Sequence, residues 1–165
     1  MKFNFCTQSQ LTEQNLKSIV NLKKKHWDYS EEEHKRWINN NINGEDIHVL
    51  MFQNEILIGY LNLIHAEVIL NNEGHFFLGI GNVCSLEKGL GYGKELLVGM
   101  QKYLDQNNFK GILFCKDNLV DFYNKFGWKL VPKNKIISEN LKNVNVMFYN
   151  IDDNIECVAY KGRNF

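Results

Sequence analysis

Apolar and polar positions change period along this chain, and the changes mark its elements. Lys2 to Thr7 reads as a short first strand. From Thr12 to Lys25 the residues Leu16, Ile19, Val20 and Lys23 fall along one side of a helix. Its Lys23-Lys24-Lys25 end is expected to be a solvated basic C-terminus that suits the negative end of the helix dipole. Ser30-Glu31-Glu32-Glu33 is a capping box, with Ser30 as N-cap, and opens a second helix to about Asn41. Ile47 to Gln53, a tight turn at Asn54-Glu55, and Ile56 to about Ala66 predict a hairpin. A second turn, Asn71-Asn72-Glu73-Gly74, leads to an apolar strand from Phe76 to Cys84. Gly91 to Gln106 follows as a helix with Leu96, Leu97, Met100, Tyr103 and Leu104 on its core side. Gly111 to Cys115 predicts a buried strand, Asn118 to Phe126 a helix, and Gly127 to Val131 a strand that Pro132 ends. Val144 to Ile151 is the last strand, which Ile155 to Tyr160 is expected to extend. This order implies an α/β fold with a mixed sheet, in one domain over residues 1–165.

The stretch Lys88-Gly89-Leu90-Gly91-Tyr92-Gly93 joins the strand at Cys84 to the helix at Glu95. The first amides of a helix lack intrahelical partners and face the positive end of its dipole, so such a junction receives anions. Glycines there let the backbone approach phosphate oxygens, and three alternating ones at a helix start are costly unless that approach is needed. A P-loop is excluded: Lys94 follows Gly93, but Glu95 stands in place of the hydroxyl, and Lys88 lies where the first glycine belongs. A dinucleotide fingerprint is excluded by the spacing of Gly89, Gly91 and Gly93.

The pattern R/Q-x-x-G-x-G/A after a strand does fit, at Lys88, Gly91 and Gly93, with Lys in place of Arg or Gln. A second block, Phe122-Tyr123-Asn124-Lys125-Phe126-Gly127-Trp128, follows one helix and one strand later. In these two ordered blocks the chain resembles the GNAT acyltransferase superfamily, over about residues 45 to 151. The resemblance implies a mostly antiparallel mixed sheet flanked by helices, with central strands that splay after the loop. It implies acetyl-CoA as acyl donor, with its pyrophosphate on the amides of Lys88, Gly89, Leu90, Gly91, Tyr92, Gly93 and Lys94 and its pantetheine arm on the backbone of Val83 and Ser85. Ser85 stands where the family usually has Pro, and Lys116 where it usually has a cofactor-binding Asn. Tyr123 matches the family's general acid; a phenol near pKa 10 is protonated at neutral pH and able to donate to a thiolate. The early helices match the family's acceptor region, so Trp27, Tyr29 and Trp37 frame a ring-shaped amine such as an amino sugar, or else pack in the core. No general base is legible: the loop-feeding strand holds Gly79, Gly81 and Asn82 rather than an acid. His65, Glu67, Glu73 and His75 are candidates by proximity alone, with His26 and His48 behind them.

Charge and cysteines narrow the partners. Nineteen basic and nineteen acidic side chains give zero net charge, which argues against broad binding of nucleic acid and fits a small-molecule amine acceptor. Cys6, Cys84, Cys115 and Cys157 form no C-x-x-C pair, so no metal site is expected. With no secretory h-region and no apolar stretch of membrane-spanning length, a cytoplasmic monomer or homodimer is expected. The leading function is an N-acetyltransferase acting on a primary amine of a small molecule. The alternatives are acetylation of a protein amine and a non-catalytic module that holds acyl-CoA.

Overall fold

A computed structural model describes residues 1–151, 154–163 and 165. Among them are eight strands: β1 (Lys2–Thr7), β2 (Ile47–Gln53), β3 (Ile56–Leu70), β4 (Glu73–Ser85), β5 (Gly111–Cys115), β6 (Lys129–Leu130), β7 (Asn145–Tyr149) and β8 (Val158–Ala159). Four helices accompany them: α1 (Glu13–Lys23), α2 (Glu31–Asn41), α3 (Tyr92–Gln106) and α4 (Asp117–Asn124). Hydrogen bonding links the strands in the order β1-β2-β3-β4-β5-β7-β6, with β8 on β3. The β4–β5 pair is parallel, while β1–β2, β2–β3, β5–β7, β6–β7 and β3–β8 are antiparallel. This is the mixed, mostly antiparallel α/β sheet that the sequence implies.

Local chemistry explains the element ends. The Thr12 hydroxyl accepts from Asn15 N–H at 3.2 Å and starts α1. At α2 both halves of the capping box form: Ser30 Oγ accepts from Glu33 N–H at 3.2 Å, and Glu33 Oε2 from Ser30 N–H at 2.7 Å. Asn54 and Glu55 take φ of 48° and 64°, the pair of left-handed residues that a two-residue hairpin turn demands.

The chain divides into two compact units, one of residues 1–64, 81–102 and 165, the other of residues 65–80 and 103–164. In the first, α1 and α2 pack on sheet residues around Ile19, Val20, Leu22, Ile38, Ile42, Leu50, Leu57, Tyr60 and Cys84. Burying a Leu or Ile side chain stabilises by ~1.5–3 kcal/mol, so this cluster fixes the two helices in place. In the second, the ring centroids of Phe77 and Phe148 lie 5.0 Å apart. There the Trp128 ring packs against Tyr149 (5.3 Å) and Tyr123 (6.1 Å).

Four expectations change. Strand β4 begins at Glu73 rather than Phe76, because Asn71 and Asn72, with φ of 52° and 69°, complete the turn by themselves. The strand after Asn54-Glu55 runs to Leu70 rather than Ala66, because alternate side chains remain buried up to the turn at Asn71. Residues Ile155 to Tyr160 do not extend β7. Instead β8 pairs with β3 at Ile69↔Ala159 and Leu70↔Val158. The Asn71 side chain fixes that return: its Oδ1 accepts from Glu156 N–H at 2.7 Å and from Cys157 N–H at 3.2 Å. Finally, Lys23 is not part of a solvated basic end, since it is only 3% exposed. Among the described residues no helix is long and apolar enough to cross a membrane.

Candidate functional site

The glycine loop runs through residues 86–91 as exposed or half-buried bends between β4 and α3. Gly89 and Gly91 take φ of 85° and 78°, which a side chain would strain. No atom lies within 4 Å of where a Cβ would stand at Gly89, Gly91 or Gly93, so the loop is open to a ligand. The bond Glu95 N–H to Gly91 C=O at 3.1 Å opens α3. The amides of Tyr92, Gly93 and Lys94 therefore precede any intrahelical partner. Three donors at the positive end of a four-turn helix make an anion site, and Lys88 and Lys94 are exposed beside it.

Val83 and Ser85 lie on β4 in the same unit, half-buried. The β4–β5 ladder covers only Leu78↔Gly111, Gly79↔Ile112 and Ile80↔Leu113. Strand β5 continues beyond it on β7 alone, through Phe114↔Val146 and Cys115↔Asn145. The β4–β5 pairing thus ends at Ile80↔Leu113, before Val83 and Ser85. The Ser85 carbonyl accepts from His26 Nε2 at 2.7 Å, which ties the α1–α2 connection to the end of β4.

Tyr123 belongs to the second unit and lies on α4, 6% exposed, with its ring edge-on to Phe122 (5.2 Å) and Trp128 (6.1 Å). Desolvation, with a smaller effect from Cys115, pushes its phenol up to about 12, so it holds its proton throughout the neutral range. Lys116 is the exposed N-cap of α4 and makes no cap bond with its side chain. His65, Glu67 and Glu73 are exposed on β3 and β4, and His75 is half-buried. These four occupy strand positions facing solvent wholly or in part, and nothing sets them apart chemically.

The buried polar groups lie elsewhere, in the first unit. Lys23, at the end of α1, donates from Nζ to Asn82 Oδ1 at 2.7 Å. Its Nζ stands 4.4 Å from the ring centroid of Trp37 and 5.5 Å from that of Trp27. Asn82 takes φ of 52°, a left-handed residue inside β4, and donates to Asn62 Oδ1 at 2.7 Å. Asn62 Nδ2 is buried without a hydrogen-bond partner. Burial lowers Lys23 to about 8, partly offset by Cys84. Lys23, Trp27, Tyr29, Glu33, His34, Trp37, Asn82 and Phe165 line a cavity of about 540 Å³. Sequence reasoning placed Trp27, Tyr29 and Trp37 in a candidate acceptor region but passed over Lys23 and Asn82. The available signal was the position of Lys23 on the stripe with Leu16, Ile19 and Val20. His48, fully buried, pairs with Tyr60 Oη at 2.8 Å and Gln8 Oε1 at 2.6 Å, and burial lowers it to about 4. It is a neutral structural histidine.

No family model matches the sequence, and no curated protein matches it. Solved structures do match in fold. YhbS, a GNAT family N-acetyltransferase from Escherichia coli in complex with CoA, aligns over 98% of this chain and 91% of its own, with a TM-score of 0.67 at 14% identity. The N-acetyltransferase YlbP from Bacillus subtilis, in complex with coenzyme A, aligns over 92% and 97%, with a TM-score of 0.60 at 15% identity. An aminoglycoside 6'-N-acetyltransferase complexed with coenzyme A aligns over 90% and 94%, with a TM-score of 0.57 at 13% identity. The parallel β4–β5 pair within a mostly antiparallel sheet, the glycine turn into α3 and these alignments give one answer: the chain has the fold of the GNAT N-acetyltransferases.

Proposed function

We propose that this protein is an acyl-CoA-dependent N-acetyltransferase that moves acetyl from acetyl-CoA to a primary amine of a small molecule. The observation that carries the reading is the α3 N-terminus: three amides without intrahelical partners, behind two left-handed glycines, with open space in front. That arrangement fits a pyrophosphate. The CoA complexes of the fold neighbours support the choice of donor.

In this reading the amides from Lys88 to Lys94 hold the pyrophosphate, and the Lys88 side chain adds a point charge without the bidentate fork of an arginine. The backbone of Val83 and Ser85 aligns the pantetheine arm. When bound, acetyl-CoA supplies a thioester whose carbonyl carbon is open to an amine and whose sulfur departs as a thiolate. A strand N–H near Val83 stabilises the negative charge that develops on the carbonyl oxygen. The amine attacks in its neutral form; its C–N bond forms as the C–S bond breaks, and the nitrogen sheds one proton to water, from which the Tyr123 phenolate recovers the proton it gives up. Tyr123 carries the proton for the departing sulfur on its Oη, and a phenol held near 12 delivers it only as charge builds on that sulfur.

The test is release of CoA thiol from acetyl-CoA over a panel of primary amines, with CoA affinity measured by calorimetry. Release that depends on the amine, with CoA bound, is expected. CoA binding with no amine accepted by the whole panel would instead favour the non-catalytic module. Failure of CoA to bind would remove the donor assignment.

A further inference from the structure

We propose that Phe165 is the wall of the cavity beside Lys23 that sets the size of the amine admitted there, which makes it a specificity-determining residue for the acceptor. The acceptor half of this statement rests on the acyltransferase reading above. The placement of Phe165 rests on its contact with Gly81 and on its share of the cavity lining.

Gly81 is buried inside β4, where a glycine packs no side chain and loses more chain entropy on folding than any other residue. Its φ lies outside the left-handed region, so no turn calls for it. What calls for it is a close approach. A Cβ on Gly81 would overlap the carbonyl carbon of Phe165 and stand 2.9 Å from its Cα and 3.1 Å from its Cβ. These are the nearest atoms, and the first two are main chain, which cannot swing aside as the end of a side chain does. Gly81 thus keeps a place on β4 for the backbone of Phe165. The next residue on the strand, Asn82, holds the Lys23 ammonium and lines the same cavity as Phe165.

The other walls hold one another. Lys23 Nζ donates to Asn82 Oδ1 and faces the rings of Trp37 and Trp27. His34 Nε2 pairs with the Trp27 carbonyl at 3.4 Å, and its ring meets that of Tyr29 edge-on at 5.7 Å. Glu33 Oε2 accepts from the Ser30 N–H at the α2 cap. These residues come from α1, α2, the connection between them and one position on β4, whereas Phe165 reaches the cavity from a distant point of the chain. Its removal therefore leaves the contacts among the others in place. The lining side chains include one ammonium, Lys23, and one carboxylate, Glu33, so the count of charges selects neither sign. Trp27, Tyr29, Trp37 and Phe165 give aromatic surface, and in about 540 Å³ an apolar ring is accepted or refused on its size. A single methylene in such a pocket changes discrimination by ~10–200-fold, and a phenyl group in its wall is larger than that.

Two of the three tryptophans, Trp27 and Trp37, line the cavity and report on it. Deletion of Phe165 is expected to raise the acrylamide quenching of tryptophan fluorescence with the circular dichroism unchanged. Gly81→Ala in the full chain is expected to do the same and to lower the melting temperature, because its methyl group displaces the Phe165 backbone. In the chain without Phe165, Gly81→Ala is expected to cost nothing, since the space is then free. Should Gly81→Ala fail to fold in the full chain, its rescue by deletion of Phe165 is the expected result. Unchanged quenching in the deletion variant, or a Gly81→Ala cost that is the same with and without Phe165, overturns the placement. Fluorescence titration with phenethylamine and with 2-(4-biphenylyl)ethylamine then reads the size limit. Deletion of Phe165 is expected to shift the affinity ratio toward the larger amine by about tenfold or more, and the kcat/KM ratio for acetylation by a similar factor. An unchanged affinity ratio, or no binding of either amine to either protein, overturns the size limit. An affinity ratio that shifts while the kcat/KM ratio does not overturns the link to the acceptor. If the affinity ratio shifts but neither amine is acetylated and CoA does not bind, the acyltransferase reading fails and Phe165 stands as the wall of a binding cavity.

Discussion

Replacing Lys23 by Met should alter how stability depends on pH, in an amount the structure sets. In the folded chain Lys23 is 3% exposed and lowered from 10.5 to about 8. At 1.36 kcal/mol per pKa unit, burying its charge costs about 3 kcal/mol. The sign follows from proton counting. Below pH 8 both folded and unfolded states carry the charge, and the whole cost is present. Between 8 and 10.5 the unfolded chain holds the proton and the folded chain does not, so stability rises with pH. Above 10.5 the cost is gone. Cys84 works in the opposite direction: its folded value is raised from 9.0 to about 12, so its contribution falls as pH climbs past 9. The unmodified protein therefore shows a mixture, and the difference between it and Lys23→Met reports the lysine together with its smaller interaction with Cys84. Met keeps most of the length and loses the charge. Urea unfolding followed by circular dichroism at pH 7, 8, 9 and 10 measures that difference. The free-energy gap between the two proteins should close by ~1 kcal/mol from pH 7 to 9 and by ~2–3 kcal/mol from pH 7 to 10. Two curves that run parallel over the whole range would refute the reasoning: Lys23 would then titrate as in water, and the cavity would lose its buried cation.

Three further outcomes are expected. Gly93→Asp has no positive φ to strain and open space for its side chain, so its melting temperature should stay near that of the unmodified protein while CoA affinity collapses, because a carboxylate then stands among the phosphate-binding amides; calorimetry with unchanged affinity would remove the donor site. Tyr123→Phe retains the ring packing on Phe122 and Trp128, so turnover should fall by ~10²–10⁴-fold with CoA affinity little changed, and near-normal turnover on the identified amine would return Tyr123 to a packing role. Ser30→Ala removes one half of the capping box and should cost about 1 kcal/mol in chemical unfolding, with no loss expected if α2 is held by its apolar face alone.

Much of the fold was legible because its signals are local. The capping box at Ser30, the Asn54-Glu55 turn and the strands Ile47–Gln53 and Gly111–Cys115 depend on residues within one turn or one strand, and they appear where the pattern put them. The errors come from pairings distant in sequence. Nothing near Val158 says that it will join β3, because the Asn71 side chain that holds this return is more than eighty residues away. The glycine loop was legible for the same reason as the cap: the chemistry of a helix N-terminus is written in the residues that form it.

Lys23 shows where composition misleads and period does not. A run of three lysines at a helix end reads as a solvated patch, yet residues 16, 19, 20 and 23 share one face, and that face is buried at Ile19, Val20 and Lys23. A cation kept on the apolar stripe, where Leu or Met would cost less, is held here by Asn82 Oδ1 and the faces of Trp27 and Trp37. In the first unit this has a consequence for β4. Its last residues run from Asn82, which holds the buried ammonium, to the loop that opens α3 with three amides facing open space. Two positive points thus stand at the two ends of one short strand segment. The loop amides suit phosphate oxygens; the ammonium is held by an amide oxygen and two indole faces. In the proposed function a donor anchored by its phosphates gathers its binding energy away from the reacting thioester, and that energy serves to orient the acyl group toward an amine that must arrive uncharged.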